Sequence, residues 1–398
     1  MKVDMTTVTK IKKGFDIKLI GEAEKTIKDL VTDQFAIKPT DFIGVFPKML
    51  VKEGDLVKAG TPLFKDKYRD NIVFAAQVSG KVKEIKRGAK RVLLEIKIEA
   101  DGKDEAIDFK AEDPKSLDRE KVIKKLLDSG IWPFIRQRPY SVIANPADKP
   151  KAIFISTFDT APLAPDYDLI VHGHGEEFQT GINALSKLTE GKIHLNIDAN
   201  ATHSKVFTNS KGVEINQFSG PHPTGNVGVQ INKIDPINKG EVIWYLYPQD
   251  VLAIGRLFLT GKFDATRVIA LTGSEVLRPA YYKTKIGAAI TPLIKGNVSA
   301  AEKRFISGNV LTGTKIDLDS YLGFYHSQVT VIPEGNYYEL FGWALPGLNK
   351  LSVSRSFPSF LFKNKKYRLD TNYHGGERAY VMTGDLKRYF LSTSILCS

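Results

Sequence analysis

MLVKEGDLVKAGTPLF (residues 49–64) decides the fold of the first part of this chain, together with a second stretch, FAAQVSGKVKEIKRG (residues 74–88). In both stretches, strand-forming apolar residues alternate with tight turns at glycine, for example at Gly54 and Gly80. Two short hairpin units of the same rhythm predict a small barrel built from interlocking halves.

This pair of hairpins resembles the barrel-sandwich hybrid domain of biotinyl and lipoyl carriers, over residues 36–100, and it follows an N-terminal segment at 1–35. In that family the modified lysine stands eleven residues before the glycine that corresponds to Gly80, and this chain has Arg69 there. Because an arginine cannot form the amide to biotin or lipoate, we expect the barrel to be unmodified. Acylation of the nearby Lys67 is the alternative, and an intact mass would decide it.

The composition bounds the class of protein. At 398 residues the chain is too long for one core and predicts several domains, while 42% hydrophobic and 26% charged residues are typical of a folded protein. No apolar run reaches the roughly 18 residues that span a bilayer, and the N-terminus lacks a signal-peptide core, so we expect a cytoplasmic protein. With Cys397 as the single cysteine, the sequence excludes an internal disulfide, a zinc knuckle and an all-cysteine iron–sulfur cluster.

The net charge of +12 is concentrated at the two ends of the chain: +7 in residues 1–100, zero in 101–335 and +5 in 336–398. It indicates either a solvated basic surface or a face that meets an acidic partner or anionic lipid headgroups. No zinc-finger spacing, RNP-type aromatic motif or arginine-rich run accompanies it, so nucleic acid is not a predicted partner.

Residues 101–263 have the pattern of an α/β domain that follows a charged linker. The strand-like stretches AIFISTF (152–158), YDLIVHG (167–173) and KIHLNIDA (192–199) alternate with an amphipathic helical stretch at 176–191. This alternation predicts a partly parallel, Rossmann-like sheet. No G-x-G-x-x-G dinucleotide fingerprint follows any of the candidate strands.

The next unit is RVIALTGSEVLRPAYYKTKIGAAITPLIKGNV (267–298), in which a strand, a glycine turn, a second strand and a short helix predict a β-grasp. It resembles the SLBB (soluble-ligand-binding β-grasp) family, and we place that domain at 264–335. The remaining region, 336–398, is basic and aromatic. Family resemblance fades after Tyr389, so this C-terminal region is interpreted as incomplete.

A barrel-sandwich hybrid, a Rossmann-like domain and an SLBB domain in this order are typical of a small group of electron-transfer subunits. The group includes the flavin-binding subunit of respiratory complex I and the C subunit of the Rnf complex. The stretches IKKGFDIKLIGEA (11–23), SGPHPTGNVGVQINKIDP (219–236) and NYHGGERAYV (372–381) resemble most closely the A-subunit family of sodium-translocating NADH:quinone oxidoreductases.

That resemblance implies a peripheral subunit on the cytoplasmic face of a membrane complex that couples electron transfer from NADH to quinone with sodium export. It implies a role in quinone binding and docking onto a membrane-embedded subunit, with the flavins and the iron–sulfur centre in partner subunits. The isolated chain is expected to be inactive. The alternative from the residues is a stand-alone module that binds a small ligand through its SLBB domain.

Flavin-binding relatives carry a loop of the form G-x-G-G-A-x-F-P after the helix that follows the barrel, because glycines let backbone N–H groups approach the flavin phosphate. This chain reads GIWPFIRQRP (130–139) there, with one glycine. The relatives also place an acidic residue in a short N-G-A-E-type turn, where this chain has STFDTA (156–161) with Asp159 out of position. The departures predict a chain without a bound cofactor.

The same loop is the candidate substrate site. Trp132 and Phe134 are predicted to stack on a quinone ring or tail, and Arg136 and Arg138 to contact a carbonyl oxygen or an acid of a partner. In the alternative, the two aromatic side chains plug the former flavin pocket and the two arginines are solvated. No residue is predicted to be catalytic or to bind a metal.

Overall fold

The computed structural model of the protein describes residues 8–372, apart from residues 202, 343, 344, 346, 353, 354, 356 and 363. The interpretations of Cys397, of the stretch 373–381 and of the chain end after Tyr389 therefore fall outside the described residues. No helix in the described part is both long and apolar enough to cross a membrane.

The first hundred residues supply the predicted barrel and two further strands. The strands are β1 (Thr9–Lys10), β2 (Glu24–Asp29), β3 (Gln34–Ile37), β4 (Pro47–Met49), β5 (Leu56–Val57), β6 (Pro62–Asp66), β7 (Val73–Ala75), β8 (Gly80–Arg87) and β9 (Leu93–Ala100). The barrel consists of a four-stranded sheet, in the order β3-β9-β8-β5, and a three-stranded sheet, in the order β4-β6-β7. Both sheets contribute to one apolar core, with Leu63, Phe74, Val82 and Ile98 at most 1% exposed. The barrel-sandwich hybrid is confirmed.

The α/β domain follows. Its elements are α1 (Arg119–Asp128), β10 (Arg136–Arg138), β11 (Val142–Ile143), β12 (Ile153–Ser156), α2 (Tyr167–Ile170), α3 (Gly175–Leu185), β13 (Ile193–Asp198), α4 (Lys205–Thr208), β14 (Glu214–Ser219), α5 (Val227–Ile234), β15 (Ile243–Leu246) and α6 (Pro248–Thr260). Seven strands form one sheet in the order β1-β14-β13-β12-β15-β10-β11. The pairs from β1 to β15 are parallel and the last two are antiparallel, which confirms the partly parallel, Rossmann-like sheet.

Helices α3 and α6 of this domain pack closely because both carry glycine at the contact. A Cβ atom on Gly255 would lie 1.8 Å from the carbonyl oxygen of Glu177, and one on Gly181 would lie 2.3 Å from that of Val251. No side chain fits at either distance, so the two glycines set how near the helices come.

One expected strand is wrong: Tyr167–Ile170 forms the short helix α2 rather than a strand. The Asp166 side chain accepts hydrogen bonds from the backbone N–H groups of Asp168 (2.9 Å) and Leu169 (3.3 Å), which satisfies two N–H groups of a first helical turn. That local cap outweighs the strand preference of the apolar residues that follow.

The last domain contains β16 (Thr266–Thr272), β17 (Ala280–Lys285), α7 (Thr291–Ile294), β18 (Lys303–Ser307), β19 (Thr314–Ile316) and β20 (Gln328–Pro333). Its sheet has the order β19-β18-β20-β16-β17-β2. Strand, turn, strand and short helix over 266–294 follow the predicted β-grasp order, so the SLBB-type domain is confirmed. Five short 3₁₀ helices complete the described elements: Pro39–Asp41, Ala89–Arg91, Pro114–Ser116, Trp132–Phe134 and Pro358–Leu361.

The N-terminal segment joins two domains that are far from it in sequence. Strand β1 pairs in parallel with β14 at the edge of the seven-stranded sheet, with Thr9 opposite Phe218. Strand β2 pairs in parallel with β17 at the edge of the β-grasp sheet, with Tyr281 opposite Ile27. The segment therefore covers one edge of each sheet and connects the α/β domain to the β-grasp domain.

Candidate functional site

The loop at residues 130–139 is packed against the barrel. Gly130 follows α1 with φ at +74°, and a Cβ atom there would lie 2.5 Å from the Cβ atom of Ala75 in β7. The remaining glycine is thus required by the close approach of the barrel strand and by its backbone conformation.

The two aromatic residues of the predicted site lie in the core. Trp132 is fully buried, its Nε1–H donates to the carbonyl oxygen of Ala144 (2.8 Å), and its ring meets Trp244 edge-on at 5.5 Å. Phe134 is also fully buried, with its ring 5.1 Å from that of Phe324 in the β-grasp domain. For a quinone to stack on either ring, these neighbours would first have to move aside. The predicted contact with the quinone is untested at both residues.

The arginine half of the predicted site forms a half-buried cluster, which we call the Arg136 cluster: Arg136, Tyr245, Tyr247 and Tyr325. The Arg136 guanidinium lies 4.6 Å, 5.3 Å and 4.3 Å from the ring centroids of these three tyrosines in turn. Arg138 lies 5.2 Å from the Tyr245 ring. Arg136, Tyr247 and Tyr325 each keep part of their surface exposed, whereas Tyr245 is buried. The loop therefore divides into a fully buried aromatic part and a half-buried cationic part.

The Arg136 cluster lies where open α/β sheets bind ligands. The central strand β12 has β13 on one side and β15 on the other, so the strand order reverses direction there. Ligands bind outside the carboxyl ends of parallel strands at such a switch point. Tyr247 directly follows β15, and Arg136 pairs with Tyr245 near the carboxyl end of that strand. Tyr325 of the β-grasp domain closes the cluster and donates a hydrogen bond to the carbonyl oxygen of Pro133 (2.8 Å).

The cluster holds a positive charge among neutral phenols. Burial raises the pKa of Tyr247 to about 12, although Arg136 opposes the shift. Burial likewise raises the pKa of Tyr325. Burial acts to lower the pKa of Arg136, but Tyr245, Tyr247, Tyr325 and the Asp250 carboxylate together outweigh it and raise that pKa overall. At neutral pH the cluster thus offers a guanidinium donor and aromatic ring faces, which suit a flat ligand with carbonyl oxygens.

A buried ion pair between Asp250 and Arg267 lies next to the Arg136 cluster. Asp250 of α6 accepts a hydrogen bond from Arg267 of β16 at 2.7 Å, and the two side chains are 2% and 4% exposed. The other carboxylate oxygen of Asp250 accepts from the backbone N–H of Tyr247 (3.1 Å), and Arg267 lies 5.8 Å from the ring centroid of Phe134. The pair joins the α/β domain to the β-grasp domain next to the Arg136 cluster.

Asp159, the acid that is out of position relative to the N-G-A-E-type turn, forms a hydrogen bond within its own turn. Its carboxylate accepts from the backbone N–H of Ala161 (2.8 Å), and burial raises its pKa. The neighbouring Thr160 hydroxyl lies 3.1 Å from Nδ1 of His222, which ties this turn to the loop before α5.

The alternative that the barrel is a carrier acylated on Lys67 concerns the turn between β6 and β7. Arg69 donates to the buried Asp66 (2.8 Å) and to the carbonyl oxygen of Ile143 (3.2 Å), so it links the barrel to the α/β domain. The Lys67 amine lies 5.7 Å from the centroid of the Tyr68 ring. An intact mass decides whether Lys67 is acylated.

Sequence reasoning missed the three tyrosines of the cluster. Tyr245 and Tyr247 lie in and directly after β15, whereas Tyr325 lies in a turn of the β-grasp domain before β20. In the sequence, Val242–Tyr247 is an apolar stretch before Pro248, typical of a buried strand. Pairing of β10 with β15 is what places Arg136 over these rings, and nothing local in the sequence signals that pairing.

Three family models match this chain: the NqrA N-terminal barrel-sandwich hybrid domain over residues 9–101, the NqrA second alpha/beta domain over 117–263, and the NQRA C-terminal domain over 268–317. The A subunit of the Na(+)-translocating NADH-quinone reductase of Yersinia pestis bv. Antiqua (strain Angola) is 41% identical over 384 residues, which are 95% of this chain and 85% of that protein. The corresponding A subunits of Photorhabdus laumondii (42% identical) and Neisseria meningitidis serogroup A (41% identical) match over the same shares. A crystal structure of an NAD+-reducing [NiFe]-hydrogenase in the air-oxidized state covers 47% of this chain and 41% of its own, with 13% identity and a TM-score of 0.37, a similarity too weak to carry an inference.

Proposed function

The chain belongs to the family of A subunits of the Na(+)-translocating NADH-quinone reductase, and on that premise we propose that it is the cofactor-free subunit that binds quinone at the Arg136 cluster. As a component of this reductase it works together with other subunits. It lies at the cytoplasmic face of the membrane and docks onto a membrane-embedded subunit, while partner subunits hold the flavins and the iron–sulfur centre. The assembly, rather than this chain, transfers electrons from NADH to quinone and exports sodium.

Support for a cofactor-free chain comes from the packing of the loop at Gly130. Trp132 and Phe134 occupy the position that a glycine-rich loop holds in flavin-binding relatives, and both are fully buried. A Cβ atom on Gly130 would lie 2.5 Å from that of Ala75, so strand β7 of the barrel packs directly against this turn, and the Gly130 N–H already donates to the carbonyl oxygen of Leu127 (3.1 Å). We therefore expect the purified chain to be colourless and to release no flavin on denaturation, as measured by absorption and fluorescence of the supernatant. Release of about one flavin per chain would contradict the proposal.

Support for quinone binding comes from one observation: the guanidinium of the half-buried Arg136 is surrounded by three aromatic rings at the switch point of the sheet, and its Nε has no hydrogen-bond partner among the described residues. A quinone needs a donor for its carbonyl oxygen and a flat apolar surface for its ring, and the cluster offers both. Arg138, on the same strand, is the second donor. In this arrangement Trp132 and Phe134 hold the loop in place and do not themselves touch the quinone.

Substitution of Arg136 by glutamine tests the quinone site. Loss of one hydrogen bond from a charged donor costs roughly 1.5–3 kcal/mol, so affinity for a quinone should fall about tenfold or more. A photoreactive quinone analogue should label peptides that cover residues 131–139 in the full chain, and Arg136→Gln should reduce this labelling. Arg119→Gln is the matched control, because Arg119 is a partly exposed arginine at the start of α1. Equal labelling of both variants and of the natural chain would refute the site.

The stand-alone ligand-binding module is set aside because the relatives match along 95% of the chain, including the barrel and the α/β domain. A module that used only its β-grasp would not require that shared architecture.

A further inference from the structure

Two surface hollows near the end of the described chain are lined by exposed apolar side chains. The hollows have volumes of about 740 Å³ and 560 Å³ and share Leu361, Phe362 and Lys365 in their walls. Leu361 is 67% exposed, Phe362 53% and Leu348 59%. Large apolar residues that are this exposed and adjacent to one another mark an interaction surface rather than ordinary surface variation.

Both ends of the chain build this surface. The backbone N–H of Tyr367 donates to the carbonyl oxygen of Lys18 (2.7 Å), and that of Ile20 donates to the carbonyl oxygen of Tyr367 (3.0 Å). Phe15 and Lys18 therefore line the smaller hollow together with Phe360, which belongs to the 3₁₀ helix Pro358–Leu361. We call the set Phe15, Lys18, Leu348, Leu361, Phe362 and Lys365 the terminal face.

The described residues that line the two hollows include more basic than acidic side chains: Lys18, Arg355 and Lys365 against Asp16. Residues 348–368 include six lysines and arginines and neither aspartate nor glutamate, and residues 8–20 include four lysines and one aspartate. Among the described residues, Lys350 pairs with Glu339, Lys366 with Glu22 and Arg368 with Glu275, all acids from other parts of the chain. The walls of the two hollows thus keep a positive excess beside the exposed phenylalanine and leucine side chains.

From this combination we propose that the terminal face binds the anionic headgroups of a lipid bilayer, with Leu361 and Phe362 entering the boundary between headgroups and acyl chains. Exposed Phe and Leu beside Lys and Arg are the composition that binds membrane interfaces, where apolar burial adds to attraction by anionic lipid. The basic excess at this face matches the negative charge of a cytoplasmic leaflet. The inference rests on the peripheral location in the proposed function and adds a direct lipid contact to it.

The test is sedimentation of the full chain with phosphatidylglycerol-containing vesicles and with pure phosphatidylcholine vesicles. We expect binding to the anionic vesicles, weaker binding to the neutral ones, and a decline as salt rises to physiological strength, because exposed charges are screened over about 8 Å there. The double variant Lys18→Glu/Lys365→Glu should weaken binding about tenfold or more, since each charge near the surface contributes about a factor of five. Leu361→Ser/Phe362→Ser should weaken binding at both salt concentrations.

Matched controls lie on other surfaces. Val31 and Leu56 are 85% and 84% exposed, and Lys28 and Lys52 are exposed lysines away from the terminal face. Val31→Ser/Leu56→Ser and Lys28→Glu/Lys52→Glu should leave vesicle binding unchanged.

Equal binding to neutral and anionic vesicles would overturn the proposal, as would terminal-face variants that bind like their controls. Absence of vesicle binding, with the same variants losing only the co-purifying membrane subunit, would overturn it in favour of a protein partner. Quinone labelling of residues 131–139 on these variants separates the two proposals: labelling that persists while vesicle binding fails leaves the quinone site standing.

Discussion

Replacement of Trp132 by alanine is expected to lower the free energy of unfolding by about 3–5 kcal/mol, the usual cost of truncating a buried tryptophan. The indole is fully buried against Trp244, and its Nε1–H is the donor for the carbonyl oxygen of Ala144. The truncation leaves both a cavity and a buried acceptor without its partner. Urea unfolding followed by circular dichroism measures the change as a lower midpoint.

Tyr140→Ala, in the turn directly after this loop, is the control. Tyr140 is 74% exposed, so its truncation should change the unfolding free energy by no more than about 0.5 kcal/mol. A Trp132→Ala chain that kept its stability but lost quinone labelling at 131–139 would show that Trp132 itself contacts the quinone. That outcome would restore the stacking role predicted from the sequence.

The second large effect is expected at the buried ion pair. Asp250→Ala should lower the free energy of unfolding by about 3–5 kcal/mol, because it leaves the Arg267 guanidinium buried without its counter-charge. The variant also removes the acceptor for the backbone N–H of Tyr247, and this loosens the first turn of α6. Denaturant midpoints again provide the measurement.

A double variant separates the charge from the packing. Asp250→Ala/Arg267→Met removes both charges and keeps an unbranched side chain at 267, so it should be clearly more stable than Asp250→Ala alone. If the double variant were instead destabilised by the sum of the two single effects, the ion pair would not be the reason for the loss. Quinone labelling should fall in Asp250→Ala as well, since Asp250 positions Tyr247.

The sequence predicted the loop of the candidate site and its arginine, but not the tyrosines. The loop at 130–139 stood out because its composition departs from a glycine-rich pattern, and Arg136 was named for its chemistry. That Trp132 and Phe134 lie in the core was an alternative that the sequence left open, because an aromatic residue in a loop suits either a ligand or a core. The tyrosines around Arg136 could not be assigned, since Tyr245 lies in β15, Tyr247 directly follows it, and Tyr325 lies in another domain.

By itself the sequence determined the types of domain and their order. The glycine-punctuated hairpins at 49–88 and the alternation of strand-like and helical stretches are local patterns, set by backbone sterics and by which face of each element is apolar. Such patterns act over a few residues, so they can be recognised without the tertiary structure. Where a local cap competed with strand preference, at Asp166, the pattern was misleading.

Only the tertiary structure decided which distant residues meet. It placed β1 and β2 of the N-terminal segment at the edges of two different sheets and joined Lys18 to Tyr367 near the other end of the chain. It also buried Trp132 and left Arg136 partly exposed, although the two are four residues apart. The physical reason is that burial and strand pairing depend on contacts summed over the whole fold, to which residues near in sequence contribute only a part.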